Sequence, residues 1–423
     1  MIGNAEYRAR RELKRDRVTT VRRGRVAGCL AAAVASIAIV APAAFAASTP
    51  TAKRWAPAFM TNKNSFTHDE AIATAQRFDL IVVQPFALSA AFVNDMHTAN
   101  PMVKILAYVN GTFTKVTNYP EAYYAHDLLG SRISWIPFGL TLLEMSNPDT
   151  RAAVGGLATA ALAKAPFDGV LLDNLGLTVL NTSDKTGYPI VPLAGLQLLP
   201  PAVPLLPYLG AAWLNNNVKL LTEVRNAHPQ AFVMGNGLGR GVTYYDLLAP
   251  TSVLSNSARA MESEQFVRAA GDDVATYRTE AAWKSDIDMI VDSEQRGAPV
   301  TAVTKLWVTA TAKQREAWHR YAFGTFLLGT DGSSWFSYLG DKLLDTSVSA
   351  GTIENVDIGT ASGGYAKVNG VYQRPYTKAL VLVNPATTAV TVPLVGTFTN
   401  LDGVVVTKSI VMKPHTGEVL TSS

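Results

Sequence analysis

Between about residue 55 and residue 340 the chain repeats one pattern: a short apolar run, a polar turn, then a helical stretch. The runs are FDLIVVQPF (78–86), VKILAYVNG (103–111), LTLLEMSN (140–147), FDGVLLDN (167–174), AFVMGNG (231–237), SARAMESEQF (257–266), TAVTKLWV (301–308) and SSWFSYLG (333–340). A strand that is apolar along its length suits a sheet covered on both faces, and intervening helices supply the cover. Eight such units predict a closed (β/α)8 barrel in preference to an open sheet. One helix start is well marked: Asn147-Pro148-Asp149 offers a cap, a proline at the first position and an acid in the first turn.

After Gly340 the helical periodicity stops. Segments 365–369, 379–384, 389–395, 403–411 and 418–421 are short runs rich in Val, Thr and Leu, broken by Gly, Pro and Asn. They predict a small C-terminal antiparallel β-sandwich. The expected organisation is a leader over 1–47, a barrel over 48–342 and the sandwich over 350–423. The segment YPIVPLAGLQLLPPAVPLLPYLG (188–210) is apolar and holds six prolines. It reads as a long loop, either a lid over the strand ends or a strap on the barrel flank.

The chain's net charge of +4 is unevenly placed. Nine basic residues against three acidic ones give residues 1–25 a charge of +6, which leaves −2 for the rest. The basic balance thus belongs to the leader and gives no reason to expect nucleic acid as a partner. Behind the basic region stand VAGCLAAAVASIAIV (26–40) and APAAFAAS, where Ala44-Phe45-Ala46 fits a small-residue cleavage site. Arg22-Arg23 suits the twin-arginine route. The expectation is a secreted, extracellular monomer with no stable membrane association; the alternative is an uncleaved anchor. Cleavage there removes Cys29, the only cysteine, so disulfides and Cys-ligated metal are not expected.

In a barrel the chemistry sits at the carboxyl ends of the strands. The residues predicted there are Asn110, Glu144, Asp173, Asn174, Asn236, Glu262, Glu264, Trp307, and Trp335 or Tyr338. Carboxylates, amides and aromatics of this kind suit sugar chemistry. Cleaving a glycosidic bond takes two carboxyl groups, one to attack or activate water and one to protonate the leaving oxygen. Asp173 falls on the fourth strand and Glu262 and Glu264 on the sixth. Glu262 and Glu264 are two apart, so on a strand both point the same way and the spacing does not choose between them. Each residue also has a plainer reading. Asp173 could cap a helix or pair with Arg268, the glutamates could be salt-bridge residues, the tryptophans could be core, and Asn110 and Asn236 could serve turns beside their glycines.

Other chemistries find no support. GNGLGRG (235–241) spaces its glycines wrongly for a dinucleotide loop, there is no G-x-S-x-G elbow, and the six histidines form no helical pair. No metal or cofactor is expected.

The segments ILAYVNG, LLEMSNPDTR, FDGVLLDN, ESEQFVR, WFSY and YQRPYTKALVLVNP together resemble the glycosyl hydrolase-like family 15 of bacterial proteins, over about residues 55–420. That resemblance implies a (β/α)8 barrel with a small β-domain and an O-glycosyl hydrolase activity. More distantly the chain looks like the α-galactosidase and α-glucosidase clan, in which an Asp on strand four attacks and an acid on strand six protonates. Carried over, Asp173 is the nucleophile of a retaining hydrolase. Glu264, in EQFVR, is the acid/base, with Glu262 as a rival. Tyr108, Asn110, Asn174, Asn236 and Arg268 would then hold sugar hydroxyls, and Trp307 and Trp335 would stack on sugar rings. The alternative function is a non-catalytic polysaccharide- or cell-wall-binding protein on the same barrel.

Overall fold

The computed structural model describes residues 53–57, 65–126, 130–135, 139–176, 192–193, 196–197, 208, 210–340 and 356–422. The leader with Cys29, the boundaries at 47/48 and 342/350, and most of the proline-rich segment 188–210 lie outside the described residues.

Eight parallel strands close a barrel: β1 (Lys53–Pro57), β2 (Leu80–Val83), β3 (Lys104–Asn110), β4 (Gly169–Asp173), β5 (Phe232–Asn236), β6 (Ala260–Ser263), β7 (Val300–Lys305) and β8 (Trp335–Leu339). Spatial order follows chain order, and β1 pairs with both β2 and β8. Every residue of β2, β6, β7 and β8 is buried. That is the signature the continuous apolar runs announced, a strand covered by side chains inside and helices outside.

Long helices supply that cover: α1 (His68–Arg77), α2 (Ala90–Ala99), α3 (Pro148–Leu162), α4 (Gly210–Ala227), α5 (Glu280–Gln295) and α6 (Ala312–Gly329). Several begin on caps readable in the sequence. Asn147 Oδ1 accepts from the Asp149 amide at 2.9 Å ahead of α3, and Thr67–Glu70 and Thr311–Gln314 form capping boxes for α1 and α6.

One expected barrel strand lies elsewhere. Leu140–Leu142 pairs antiparallel with Phe113–Thr114 and Ser134–Trp135 in a three-stranded sheet between β3 and α3. Leu140 and Thr141 are only half-buried, so this run never had the two-sided burial a barrel strand requires. Lys53–Pro57 takes the missing place at the start of the ring. One strand gained and one lost leave Asp173 on the fourth strand and Glu262 on the sixth.

The C-terminal part is antiparallel: β9 (Ala366–Val368), β10 (Val371–Pro375), β11 (Ala379–Asn384), β12 (Val390–Thr399), β13 (Val405–Met412) and β14 (Thr416–Ser422), in the order β9-β10-β11-β14-β12-β13. Successive residues of β11 serve two interiors. Val381 and Val383 join the main core, while Leu382 joins a small second core with Val371, Val392, Leu394, Met412 and Leu420. This two-sidedness is the period-2 geometry of a strand between layers, and it makes the module a sandwich resting on α6.

The contact with α6 is close. A Cβ on Gly417 would lie 2.3 Å from the Arg320 carbonyl oxygen, so the two backbones touch there. Arg374 of β10 is buried and caps the end of α6, donating to the carbonyls of Leu328 (3.1 Å) and Thr330 (2.7 Å). A second bridge reaches the segment after β6. His415 stacks on Tyr277 (3.8 Å), Tyr277 on Trp318 (4.4 Å), and the Arg268 guanidinium lies 4.5 Å from the Trp318 ring.

Candidate active site

Asp173 ends β4 with its carboxyl enclosed by hydrogen-bond donors from the two neighbouring strands and from the residue that follows it. Oδ1 accepts from the Asn174 amide (2.8 Å) and from Asn236 Nδ2 on β5 (2.7 Å). Oδ2 accepts from the Tyr108 hydroxyl on β3 (2.8 Å) and from Asn174 Nδ2 (3.1 Å). Four bonds use the roughly four acceptor positions of a carboxylate.

Local backbone makes this arrangement possible. Asn174 has φ 66°, the left-handed region that Asn tolerates better than most residues, and this turns both its amides back onto the preceding side chain. The β4 and β5 ends are held together by the bond from the Leu175 amide to the Asn236 carbonyl (2.8 Å). Gly237 allows their approach: a Cβ there would stand 2.7 Å from the Gly176 nitrogen.

The partners expected to hold sugar hydroxyls are therefore spent on the protein. Tyr108, Asn174 and Asn236 all hold Asp173, and Asn110 Oδ1 accepts from the Thr112 (3.2 Å) and Phe113 (2.8 Å) amides in the turn after β3. Arg268 sits apart from Asp173. It donates to the carbonyls of Ala269 and Asp272 in its own loop and faces Trp318, so it organises that loop.

On β6 the two glutamates part company. Glu262 pairs in register with Asn236 on one side and Thr301 on the other. It is 0% exposed, and neither of its carboxyl oxygens has a hydrogen-bond partner among the described residues. Glu264 lies just beyond the end of β6, with its side chain 24% exposed, and bonds Lys305 Nζ of β7 at 2.6 Å.

The charges interact. Burial, followed by the negative charge of Glu264, pushes the Asp173 carboxyl up to about 6, while its donors from Tyr108, Asn236 and Asn174 pull the other way. Burial and then Glu264 push Glu262 well above the ordinary range, against the opposing pull of Lys305. Burial and then Asp173 raise the Tyr108 phenol, so Tyr108 remains a donor at neutral pH. Asp173 and Glu262 thus have reasons to hold protons, and among the described residues a single ammonium, Lys305, serves the cluster.

The two tryptophans also differ. Trp307 lies just past β7, half-buried, with Lys305 Nζ 4.6 Å from its ring, so it borders the mouth. Trp335 is the first residue of β8 and packs edge-on against Phe232, the first residue of β5, at 6.0 Å. It belongs to the floor of the barrel, at the end opposite the carboxyls, and the expectation that it stacks on substrate is corrected. Glu144 likewise serves a turn, accepting from Ser146 and from Tyr208.

Lys305 was missed from the sequence, although its signal was present. It is a lysine inside the otherwise apolar run TAVTKLWV, and a buried lysine needs a partner.

No family model matches the chain, and no curated protein matches it. Among solved structures it is similar to the glycoside hydrolase domain of PelA from Pseudomonas aeruginosa, at 14% identity and TM-score 0.39, over 69% of this chain and 94% of that one. It is similar to the GH36 α-galactosidase AgaA from Geobacillus stearothermophilus, at 12% identity and TM-score 0.43, over 87% of this chain and 55% of that one. It is also similar to an α-amylase from Geobacillus thermoleovorans complexed with acarbose, at 10% identity and TM-score 0.47, over 88% and 96% of the two chains.

Proposed function

We propose that this protein is a retaining O-glycosyl hydrolase, exported by its leader, that cleaves a bond in an oligo- or polysaccharide. The observation that carries this reading is the fixed Asp173 carboxyl at the mouth of β4, with a second, reachable carboxyl, Glu264, just past β6. The likeness of FDGVLLDN and ESEQFVR to glycosyl hydrolase-like family 15 points the same way.

Exposure favours Glu264 over Glu262 as the acid. A general acid must touch the leaving oxygen and later a water. Glu262 is enclosed, whereas Glu264 opens to the mouth. In the first step Glu264 must first take a proton from solvent; Asp173 Oδ then attacks the anomeric carbon while Glu264 passes that proton to the departing oxygen, and Lys305 stands where it stabilises the carboxylate left behind. In the second step Glu264 takes a proton from water, and the resulting hydroxide displaces Asp173 from the sugar. Burial favours the neutral form of Glu262 beneath them, which limits the negative charge of the site. Trp307 borders the path of the sugar ring.

One observation favours the rival reading, a protein that binds glycan without cleaving it. All the acceptor positions of Asp173 are taken, so attack requires one donor, Tyr108 or the Asn174 side chain, to swing aside. A panel of aryl glycosides and oligosaccharides, given to the secreted protein and to Asp173→Asn, separates the two. Hydrolysis by the wild type alone supports the enzyme. Equal hydrolysis by both, or binding with no hydrolysis by either, overturns it.

A further inference from the structure

The geometry points to a second carbohydrate site, a groove on the outer flank of the barrel along α5 that takes a neutral polysaccharide chain. It rests on the glycosidase reading only for the class of its ligand and is separate from the mouth. Asp288, Val291, Asp292 and Gln295 are spaced three, one and three apart, so they form one stripe on the outward side of α5. Two clefts of about 430 Å³ each share Val291 and Gln295 and so run into one another. Tyr245, from the segment after β5, lines the first. Tyr365 and the backbone of Gly363 and Gly364, from the C-terminal domain, line the second.

The chemistry of the lining selects the ligand. Every carboxylate in the groove already has a cation. Asp288 bonds Lys284 Nζ at 2.6 Å, Asp292 bonds Arg296 Nε at 2.7 Å, and Asp331 pairs with Arg374. An ionic ligand therefore finds no unmatched charge here. Unmatched hydrogen-bonding groups are present instead: the exposed Gln295 amide and the Tyr245 hydroxyl have no hydrogen-bond partner among the described residues. Tyr245 is 43% exposed yet firmly placed. Its ring meets Tyr244 edge-on at 4.9 Å, and Tyr244 is anchored by its hydroxyl to Asp292 at 2.6 Å. Tyr365 is fixed at the other side by its hydroxyl on Asp288. Braced aromatic rings over an apolar floor, with free amide and hydroxyl groups beside them, match the C–H faces and hydroxyls of a sugar chain and cost little ordering on binding.

The test is retardation of the full chain in native gels cast with soluble starch, galactomannan or hydroxyethylcellulose. Wild type, Asp173→Asn, Tyr245→Ala and Gln295→Ala are compared, and wild type and Tyr245→Ala are also assayed on a short aryl glycoside. The expected result is that at least one polysaccharide retards wild type and Asp173→Asn alike. Tyr245→Ala weakens that retardation about tenfold and Gln295→Ala about threefold. Hydrolysis of the short glycoside is the same in wild type and Tyr245→Ala. No retardation in any gel, or retardation that survives both groove substitutions, overturns the groove. Retention by the groove with no hydrolysis of any glycoside would instead overturn the glycosidase reading and leave the groove standing.

Discussion

Two carboxyls lie on the inner face of this barrel two strands apart, and their surroundings are opposite. Asp173 has a donor for each acceptor position, whereas Glu262 has none. The same chemical group is thus given donors that favour its charged form in one place and left to keep its proton in the other. Solvation by neighbours, more than residue type, assigns the roles.

The largest break in that comparison comes from Asp173→Asn. If Asp173 attacks, hydrolysis falls about 10⁴-fold or more. The new amide's N–H groups would also face two of the four donors, so the fold loses about 1–3 kcal/mol, read as a lower urea midpoint. Next, Tyr108→Phe removes one donor from the anion. A hydrogen bond to a charged group contributes about 1.5–3 kcal/mol, so the midpoint should fall again, while hydrolysis should persist because Oδ2 then has one donor fewer to shed before attack.

Glu262→Gln sharpens the other half. Its carboxyl holds a proton in the folded protein to a higher pH than the 4.5 of an ordinary glutamate. The unfolded chain therefore binds fewer protons, and the fold loses stability as pH rises above about 4.5, until the folded-state value is passed. The glutamine cannot ionise. Its melting temperature at pH 8 should exceed that of the wild type by about 2 °C or more, while the two converge near pH 4. Parallel curves would show that Glu262 is solvated by something other than its described neighbours.

The smallest effect belongs to the tryptophans. Trp307→Ala should raise KM about two- to tenfold, the range of a lost aromatic stack. Trp335→Phe should leave KM alone and lower the melting temperature, because its ring packs on Phe232 at the floor.

Much of this was legible. The eight-unit barrel, the Asn147 cap, the C-terminal sandwich and the placing of Asp173 follow from patterning and turn chemistry. The strand count survived two compensating errors, for LTLL has apolar residues but no second buried face, and only three-dimensional cover distinguishes it from a barrel strand. The finer site was less legible. Strand ends put Asn174 and Asn236 near Asp173 and the family resemblance added Tyr108, but neither says that all three bond its carboxyl. Nor could spacing separate Glu262 from Glu264, which differ by depth and by Lys305, a partner from the next strand. Trp335 was misplaced because an aromatic at the head of a strand and one at its tail look alike until the direction of the barrel is known.

The stack from His415 through Tyr277 and Trp318 to Arg268 makes the C-terminal domain a splint for the segment that begins at Glu264. Shortening the gene at the end of the barrel would therefore do more than uncover α6. It would unpin the segment leading away from Glu264, so a truncated chain that stays folded would still lose the aim of that carboxyl. Transplanting this barrel onto another partner domain would fail for the same reason unless His415 travelled with it.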